Sequence, residues 1–488
     1  MNTEKLPFSI SARQQGYIAL ALWAVAAVLL LRNDVYGLDE HAARSLLLSW
    51  SIADQVASSV TTLGMPDLRI LLFLPVGFLW TGSVFAAKVL TVLLLALSAW
   101  LLFGWKSRSS GTESALLATG LLIISPLALA QIDAISTGVY LLASVALGSW
   151  LDVQYRSNPR PFNGWYFAQL FVCAFSASLH PAGLAYPLAL LWSWRTLPQS
   201  PKYQKFFLAG TIFVVLFILL LRMGWGDLTW FQNPLRSLGE VFTGSTLDDA
   251  DPAMQWLPGG VVAGLAIAVI LMRFRDLWQD LAGRTLLLGV ALGAFVGDQA
   301  WGLITLTLVL FYGIPLLLRP EWAPREGGFV QQRGWALLAI FVCSTIFMRA
   351  DKVFYETGRH GALSAQDELI KTLAVAAEND RKASETDEGE KKHPRFIVAS
   401  EWPGRTMIAC KCDTFPLPPV ERDPQTQLAK LHSITYLLLD PKRTSNIDLA
   451  RNFSLLGGSI ETISLQPGGV LLHVKEDSNP NPEGAAKK

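Results

Sequence analysis

The stretch from Tyr17 to Arg44, YIALALWAVAAVLLLRNDVYGLDEHAAR, decides the class of the molecule. Its first part, 17–32, is apolar up to its last residue, close to the ~17 residues with which a helix can just cross about 30 Å of hydrocarbon. The charged leader is followed by no small-residue cleavage site, so the run reads as a retained anchor. Two adjacent carboxylates come next, in Gly37-Leu38-Asp39-Glu40-His41-Ala42-Ala43-Arg44. From His41 to Val60 the apolar Leu46, Leu47, Trp50, Ile52 and Val56 recur at helical spacing, which predicts an amphipathic helix lying on a membrane surface with those residues against lipid.

The rest of the chain repeats the first signal. Of its 488 residues, 51% are hydrophobic and 16% charged, against roughly 25% charged in an average soluble domain. The mean hydropathy is +0.36, and an ordinary soluble enzyme is excluded. The 17 Trp and 25 Phe suit rings at membrane interfaces. Lys plus Arg number 40 and Asp plus Glu 39, a balance that gives no support for nucleic acid as a partner. Four Cys over this length make neither a disulfide framework nor a dense metal scaffold.

About eleven membrane spans are predicted from runs long enough to cross hydrocarbon. They lie near 17–32, 83–104, 113–130, 134–151, 164–180, 182–194, 206–222, 259–273, 284–297, 301–318 and 335–349. The pairs 164–180 with 182–194 and 284–297 with 301–318 contain short members that could equally be re-entrant hairpins. With the N-terminus in the cytoplasm, the inner loops carry fifteen Lys and Arg and the outer loops five, Arg32, Arg44, Arg69, Arg222 and Arg236. That asymmetry is the expected one, because positive loops stay cytoplasmic. Carboxylates, Asp39, Glu40, Asp67, Asp133 and Asp298 among them, collect on the outer side.

The fold class is therefore mostly α: a polytopic helical membrane domain over 1–350, then a small α/β domain outside the membrane. Residues 351–394 read as a helix, near 364–378, and a charged linker. The α/β domain spans 395–475, with strands at Arg395–Ser400, Ile434–Asp440, Ser459–Leu465 and Gly469–Lys475, helix-like stretches near 424–432 and 446–454, and a closing hairpin through Pro467-Gly468-Gly469. Residues 476–488 read as a disordered tail. Cys410-Lys411-Cys412, taken as a strand, puts both thiols on one face at the edge of disulfide geometry, and with no second Cys pair nearby zinc has no tetrahedral site.

Besides Asp39-Glu40, four features stand out on the outer side: Pro66-Asp67-Leu68-Arg69 and the following Trp80, Lys88 inside the next span, Ser125-Pro126 followed by Asp133, and His180-Pro181 at the break between two short spans. Their order resembles the membrane glycosyltransferases of the C-type fold, especially the protein O-mannosyltransferase and aminoarabinose-transferase branches. In those families the first outer loop carries Asp-Glu, often with His or Arg one residue further on; here His41 follows directly. A Lys/His-Pro-Pro-Leu segment is matched by Met65-Pro66-Asp67-Leu68, which lacks the basic residue, and Lys88 in Gly82-Ser83-Val84-Phe85-Ala86-Ala87-Lys88 stands where Arg is usual. The likeness in layout covers roughly residues 15–350.

The resemblance implies an enzyme of the cytoplasmic (inner) membrane with an outward-facing site. Such a site has no access to cytoplasmic nucleotide sugars, so the donor is a polyprenyl-phosphate sugar, and the acceptor a glycan, lipid or protein. Asp39, with Glu40 as second carboxylate, is the candidate base; His41, Arg44, Arg69, Asp133 and His180 are candidate substrate-binding residues, with Arg222 and Arg236 as further cations for the leaving phosphate. A divalent cation is the one cofactor candidate. Each role has a structural counterpart. Asp39 can cap the helix it precedes, Arg44 can pair with Glu40 one turn away, Arg69 can snorkel, and Asp133 and His180 can cap or close turns. The alternative reading is a catalytically inactive relative serving as scaffold or assembly subunit of an envelope complex.

Overall fold

The computed structural model describes residues 11–29, 31, 35–54, 67–157, 164–195, 201–224, 252–296, 299–317, 365–386, 396–418, 434–440, 460–466 and 469–474, with Val420, Asn446 and Leu449. The chain forms two compact units, each discontinuous in sequence: one from 1–33, 67–72 and 83–359, the other from 34–66, 73–82 and 360–488.

The first unit is helical. It contains α1 (Ala12–Leu29), the start of α3 (Ile70–Leu79), α4 (Val84–Ser109), α5 (Thr112–Ile124), α6 (Pro126–Asp133), α7 (Thr137–Ser157), α8 (Gly164–Leu179), a 3₁₀ turn (Pro181–Leu184), α9 (Ala185–Arg195), α10 (Pro201–Gly224), α11 (Pro252–Gln279), α12 (Leu281–Val296) and α13 (Gln299–Leu317). α4 shows why these sequences make helices. Ser83 caps it by accepting the Ala86 N–H at 3.3 Å, and Lys106 and Arg108 stand in its last turn, where the dipole favours cations. At 26 residues it extends about 39 Å by the helical rise per residue, enough to cross hydrocarbon.

Among the described residues α4 alone is both long and apolar enough to cross a membrane; six other apolar helical segments run to 10–17 residues. The expected count of about eleven spans is thus not reproduced. The span expected over 113–130 is two helices, α5 and α6, because Pro126 drives Ser125 into extended backbone (φ −61°, ψ 139°). Ser125 then caps the new helix, its hydroxyl accepting the Ala128 N–H at 3.1 Å. The span expected at 335–349 lies outside the described residues.

Charge is segregated between the two ends of this unit. One end joins the C-terminal parts of α4, α7, α9 and α11: Arg156 pairs with Asp152 at 2.7 Å and donates to Ser193, Arg273 pairs with Asp276, and the Lys106 ammonium sits 4.0 Å from the Tyr312 ring centroid. Lys106, Arg156 and Arg273 are three of the cations expected in the inner loops. The other end gathers the Asp67–Arg69 turn, the α6–α7 turn and the α8–3₁₀ break.

The second unit holds α2 (Glu40–Asp54), the remainder of α3, α14 (Ala365–Thr386), α15 (Pro403–Cys410) and a five-stranded sheet. Its strands are β1 (Ile397–Ser400), β2 (Asp413–Pro416), β3 (Tyr436–Leu439), β4 (Ile460–Gln466) and β5 (Gly469–Val474), in the order β2-β1-β3-β5-β4. β2, β1 and β3 run parallel; β3, β5 and β4 are antiparallel, with a bulge between Thr462 and Ser464. Alternate residues face opposite sides, as the pleat requires. Val398, Leu438 and Leu471 pack with Leu369, Ile370 and Leu373 of α14, whereas Ala399, Leu437 and Leu472 face Leu449.

Four expected strands are present, and a fifth, β2, is added. The expected helix near 364–378 continues to Thr386, into the charged segment. The helix-like stretches near 424–432 and 446–454 and the turn at Pro467-Gly468 fall outside the described residues, apart from Asn446 and Leu449. α2 differs from expectation in its surroundings: Leu46 and Leu47 are buried within the protein rather than offered to lipid, and only Ile52 of the expected face is well exposed. Val56 lies outside the described residues. The later half of α3 accounts for part of this cover, since a Cβ on Gly77 would lie 3.0 Å from the Ser49 carbonyl oxygen.

Candidate functional site

The residues singled out by sequence fall into two groups, one in each unit. In the second unit, Asp39 is the N-cap of α2. Its carbonyl accepts the Ala43 N–H, and its Oδ1 accepts the Ala42 N–H, both at 2.9 Å. Gly37, two residues earlier, has φ +75°, a region that suits a residue without Cβ, and it donates its N–H to Asp367 Oδ1 at 3.1 Å. Tyr36 packs into the core cluster built by α14 and the sheet. The loop that carries the acidic pair is therefore part of the second unit's own fabric.

Glu40 makes three bonds. Oε1 accepts the Gly404 N–H at 2.8 Å and the Arg44 Nε–H at 2.8 Å, and Oε2 accepts the Arg405 N–H at 3.0 Å. The expected Glu40–Arg44 helical pair is present, and the two amides belong to the first turn of α15. His41 is exposed on the first turn of α2. Arg405 extends the network, donating to Gln366 Oε1 at 3.3 Å and pairing with Asp367. Asp367, Gly404 and Arg405 were not found from sequence; the visible signal was Trp402-Pro403, a helix start with proline in the first position but no Ser, Thr, Asp or Asn before it.

In the first unit, Arg69 is fully buried. Its Nε and Nη2 bind Asp67 Oδ2 at 2.8 and 2.6 Å, Nη1 donates to the Ile135 carbonyl at 3.1 Å, and the guanidinium carbon lies 5.5 Å from the Tyr140 ring centroid. Tyr140 in turn shares a 2.9 Å hydrogen bond with Thr91 of α4, one turn from the buried Lys88. Snorkelling is thus not what Arg69 does. Asp133 ends α6, two residues before Ile135, whose φ of +53° is unusual for a β-branched residue and marks local strain.

The Leu68 N–H binds Ser178 Oγ at 3.2 Å, which fastens the same turn to the end of α8, two residues before His180. His180 caps the 3₁₀ turn, its Nδ1 accepting the Ala182 N–H at 3.1 Å. Arg69, the Asp133 turn and the His180 break are accordingly brought to one end of the unit, although 111 residues separate Arg69 from His180. The Arg222 side chain, Arg236 and Asp298 lie outside the described residues.

Cys410 and Cys412 do not lie on one strand. Cys410 ends α15, Lys411 is its left-handed C-cap at φ +53°, and Cys412 precedes β2. Both thiols are free. The Cys410 thiol is pushed up by the hydrogen bond it shares with Cys412 and by burial, and the same bond draws the Cys412 thiol down against its own burial. Among the described residues no group of three or more His, Cys, Asp or Glu side chains stands together to hold a metal ion.

No protein-family model matches the chain, and no curated protein sequence does. Solved structures do. The archaeal oligosaccharyltransferase AglB from Archaeoglobus fulgidus, in complex with an inhibitory peptide and a dolichol-phosphate, aligns at TM-score 0.50 and 12% identity over 96% of this chain and 75% of its own. ArnT from Cupriavidus metallidurans in the apo state aligns at TM-score 0.52 and 12% identity over 93% of this chain and 96% of its own. Both are membrane glycosyltransferases of the C-type fold, and at this identity the likeness is one of fold.

Proposed function

We propose that the chain is an integral membrane glycosyltransferase that moves a sugar from a polyprenyl-phosphate donor to an acceptor on the outer face of the membrane, with Asp39 as general base. The observation that supports this most is the fold, shared over 93% and 96% of the chain with two glycosyltransferases, one of them carrying a dolichol-phosphate. In this reading the membrane domain is 1–350 with its N-terminus in the cytoplasm of an inner-membrane cell, and 395–475 is the extracytoplasmic domain.

The chemistry needs few groups. The Asp39 carboxylate takes the proton of the acceptor hydroxyl as its oxygen bonds to the anomeric carbon, and the carbon–oxygen bond to phosphate breaks on the opposite face, inverting the centre. The polyprenyl phosphate departs with the bonding electrons, so no strong general acid is needed. Arg44 is the cation proposed to meet the growing phosphate charge.

A scaffold or assembly subunit is the second reading, and one observation favours it: both acidic residues already have structural work, Asp39 as cap of α2 and Glu40 on the α15 amides. Proteoliposomes supplied with radiolabelled polyprenyl-phosphate sugars, together with mass spectrometry of copurifying lipids, separate the two. Transfer and a bound polyprenyl phosphate support the enzyme; the absence of both, with native partners present, supports the scaffold.

A further inference from the structure

A helix normally closes its exposed N-terminal amides with a side chain of its own N-cap residue. α15 does not. Its N-cap is Trp402 (φ −117°, ψ 66°), which makes no side-chain cap bond, and Pro403 occupies the first helical position. The amides of the next two positions, Gly404 and Arg405, are taken instead by the two oxygens of Glu40, 364 and 365 residues away in sequence. A carboxylate at a helix N-terminus is favoured by the dipole as well as by the bonds.

The fit depends on residue 404 being glycine. A Cβ there would lie 3.0 Å from Arg44 Cγ, 3.1 Å from the Arg44 backbone nitrogen and 3.1 Å from Glu40 Oε1. Two of these atoms are backbone or part of the clasp itself, so α15 and α2 would have to give way by a few tenths of an ångström. A second tie reinforces the first: Arg405 pairs with Asp367, whose Oδ1 also receives the Gly37 N–H on the near side of Asp39. Asp39 is thus bracketed at residues 37 and 40 by groups from the C-terminal part of the chain.

We propose that Glu40 is the cap of α15 and, through that clasp, a positioning residue that fixes Asp39, so that the C-terminal domain sets the geometry of the acidic pair. The inference rests on the reading of Asp39 as base. It divides the pair's labour: Asp39 moves the proton, and Glu40 touches no substrate.

The test uses the full chain in lipid nanodiscs and compares Glu40→Ala, Gly404→Ala, Glu40→Gln and Asp39→Asn, reading amide hydrogen exchange over 403–410 and transfer kinetics. Glu40→Ala and Gly404→Ala should each speed exchange at 404–405 by about tenfold, the scale of a lost helix cap. Both should lower kcat by on the order of tenfold, as a misplaced base does, with the donor KM and the pH of half-maximal rate unmoved. Glu40→Gln keeps one acceptor oxygen and should fall between Ala and the parent in both readouts. Unchanged exchange in Glu40→Ala overturns the clasp, and faster exchange with unchanged kcat overturns its positioning role. A Gln variant as inactive as Asp39→Asn overturns it too, because a group that transfers protons is lost on amidation and a cap is only weakened. Transfer that survives Asp39→Asn sinks the base assignment instead, and leaves the clasp to stand or fall on exchange.

Discussion

Asp67 and Arg69, two residues apart, form an ion pair with 2.6 Å between Oδ2 and Nη2 and side chains 1% and 0% exposed. The pair is buried with further bonds from the Arg69 backbone N–H to Asp67 Oδ1 at 2.9 Å and from Nη1 to the Ile135 carbonyl. Burying two charges is tolerable only with such satisfaction, and removing one partner leaves the other stranded.

Arg69→Ala should therefore cost about 3–5 kcal/mol of stability, and Asp67→Ala a similar amount, with the double variant well below the sum. Thermal unfolding in detergent measures this. Lost donor binding in an Arg69 variant that still melts like the parent would instead assign Arg69 to phosphate.

Asp39 offers the sharpest separation of capping from catalysis. Asparagine retains a cap oxygen for the Ala42 N–H, so Asp39→Asn should melt within about 0.5 kcal/mol of the parent. It cannot accept the acceptor's proton, and turnover should fall about 10²-fold or more. Asp39→Ala should add a capping loss of about 1 kcal/mol.

Gly183, three residues after His180, has no room for a side chain: a Cβ would lie 1.8 Å from the Ser176 carbonyl oxygen. Since that obstacle is backbone, Gly183→Ala should destabilise the protein by about 3 kcal/mol or more. A melting point equal to that of the parent would show that the α8–3₁₀ break is more yielding than its geometry states.

Cys412 should alkylate ahead of Cys410. Its thiol is drawn down, so at neutral pH a larger fraction is thiolate, whereas the Cys410 thiol is pushed up and buried. Iodoacetamide labelling followed by peptide mapping should modify Cys412 first, and its labelling should rise with pH at a lower midpoint than that of Cys410. Equal rates at the two thiols would contradict the hydrogen bond between them.

Orientation is open to direct measurement. If the proposed topology holds, reporter fusions or single-cysteine labelling should place Arg108, Lys202 and Arg325 in the cytoplasm and 351–488 outside. Cytoplasmic labelling of the C-terminal domain would move the proposed donor chemistry to the wrong side.

Much of the architecture was legible because it follows from local pattern. Apolar runs marked most helices of the first unit, and four short apolar runs marked β1, β3, β4 and β5 of the sheet. Two elements escaped for physical reasons. β2, Asp413–Pro416, has Phe415 as its one apolar residue besides the proline, so no apolar run announces it, and α15 is eight residues, opening without a capping residue of its own. The segment 113–130 is two helices rather than one because Pro126 holds Ser125 in extended backbone, a break that hydropathy does not register.

Residue letters alone fix the inventory: apolar runs suited to lipid over much of the chain, and carboxylates and arginines in the stretches between them. Those follow from residue types and short spacings, which each segment carries alone. How those groups are engaged is settled only by the folded chain. Glu40 meets the amides of Gly404 and Arg405, and Arg69 meets the Ile135 carbonyl. Backbone N–H and C=O groups are identical at every position, so no residue letter announces which of them a distant side chain will satisfy. That choice is made only when the folded chain brings a capless helix end to a carboxylate 364 residues away.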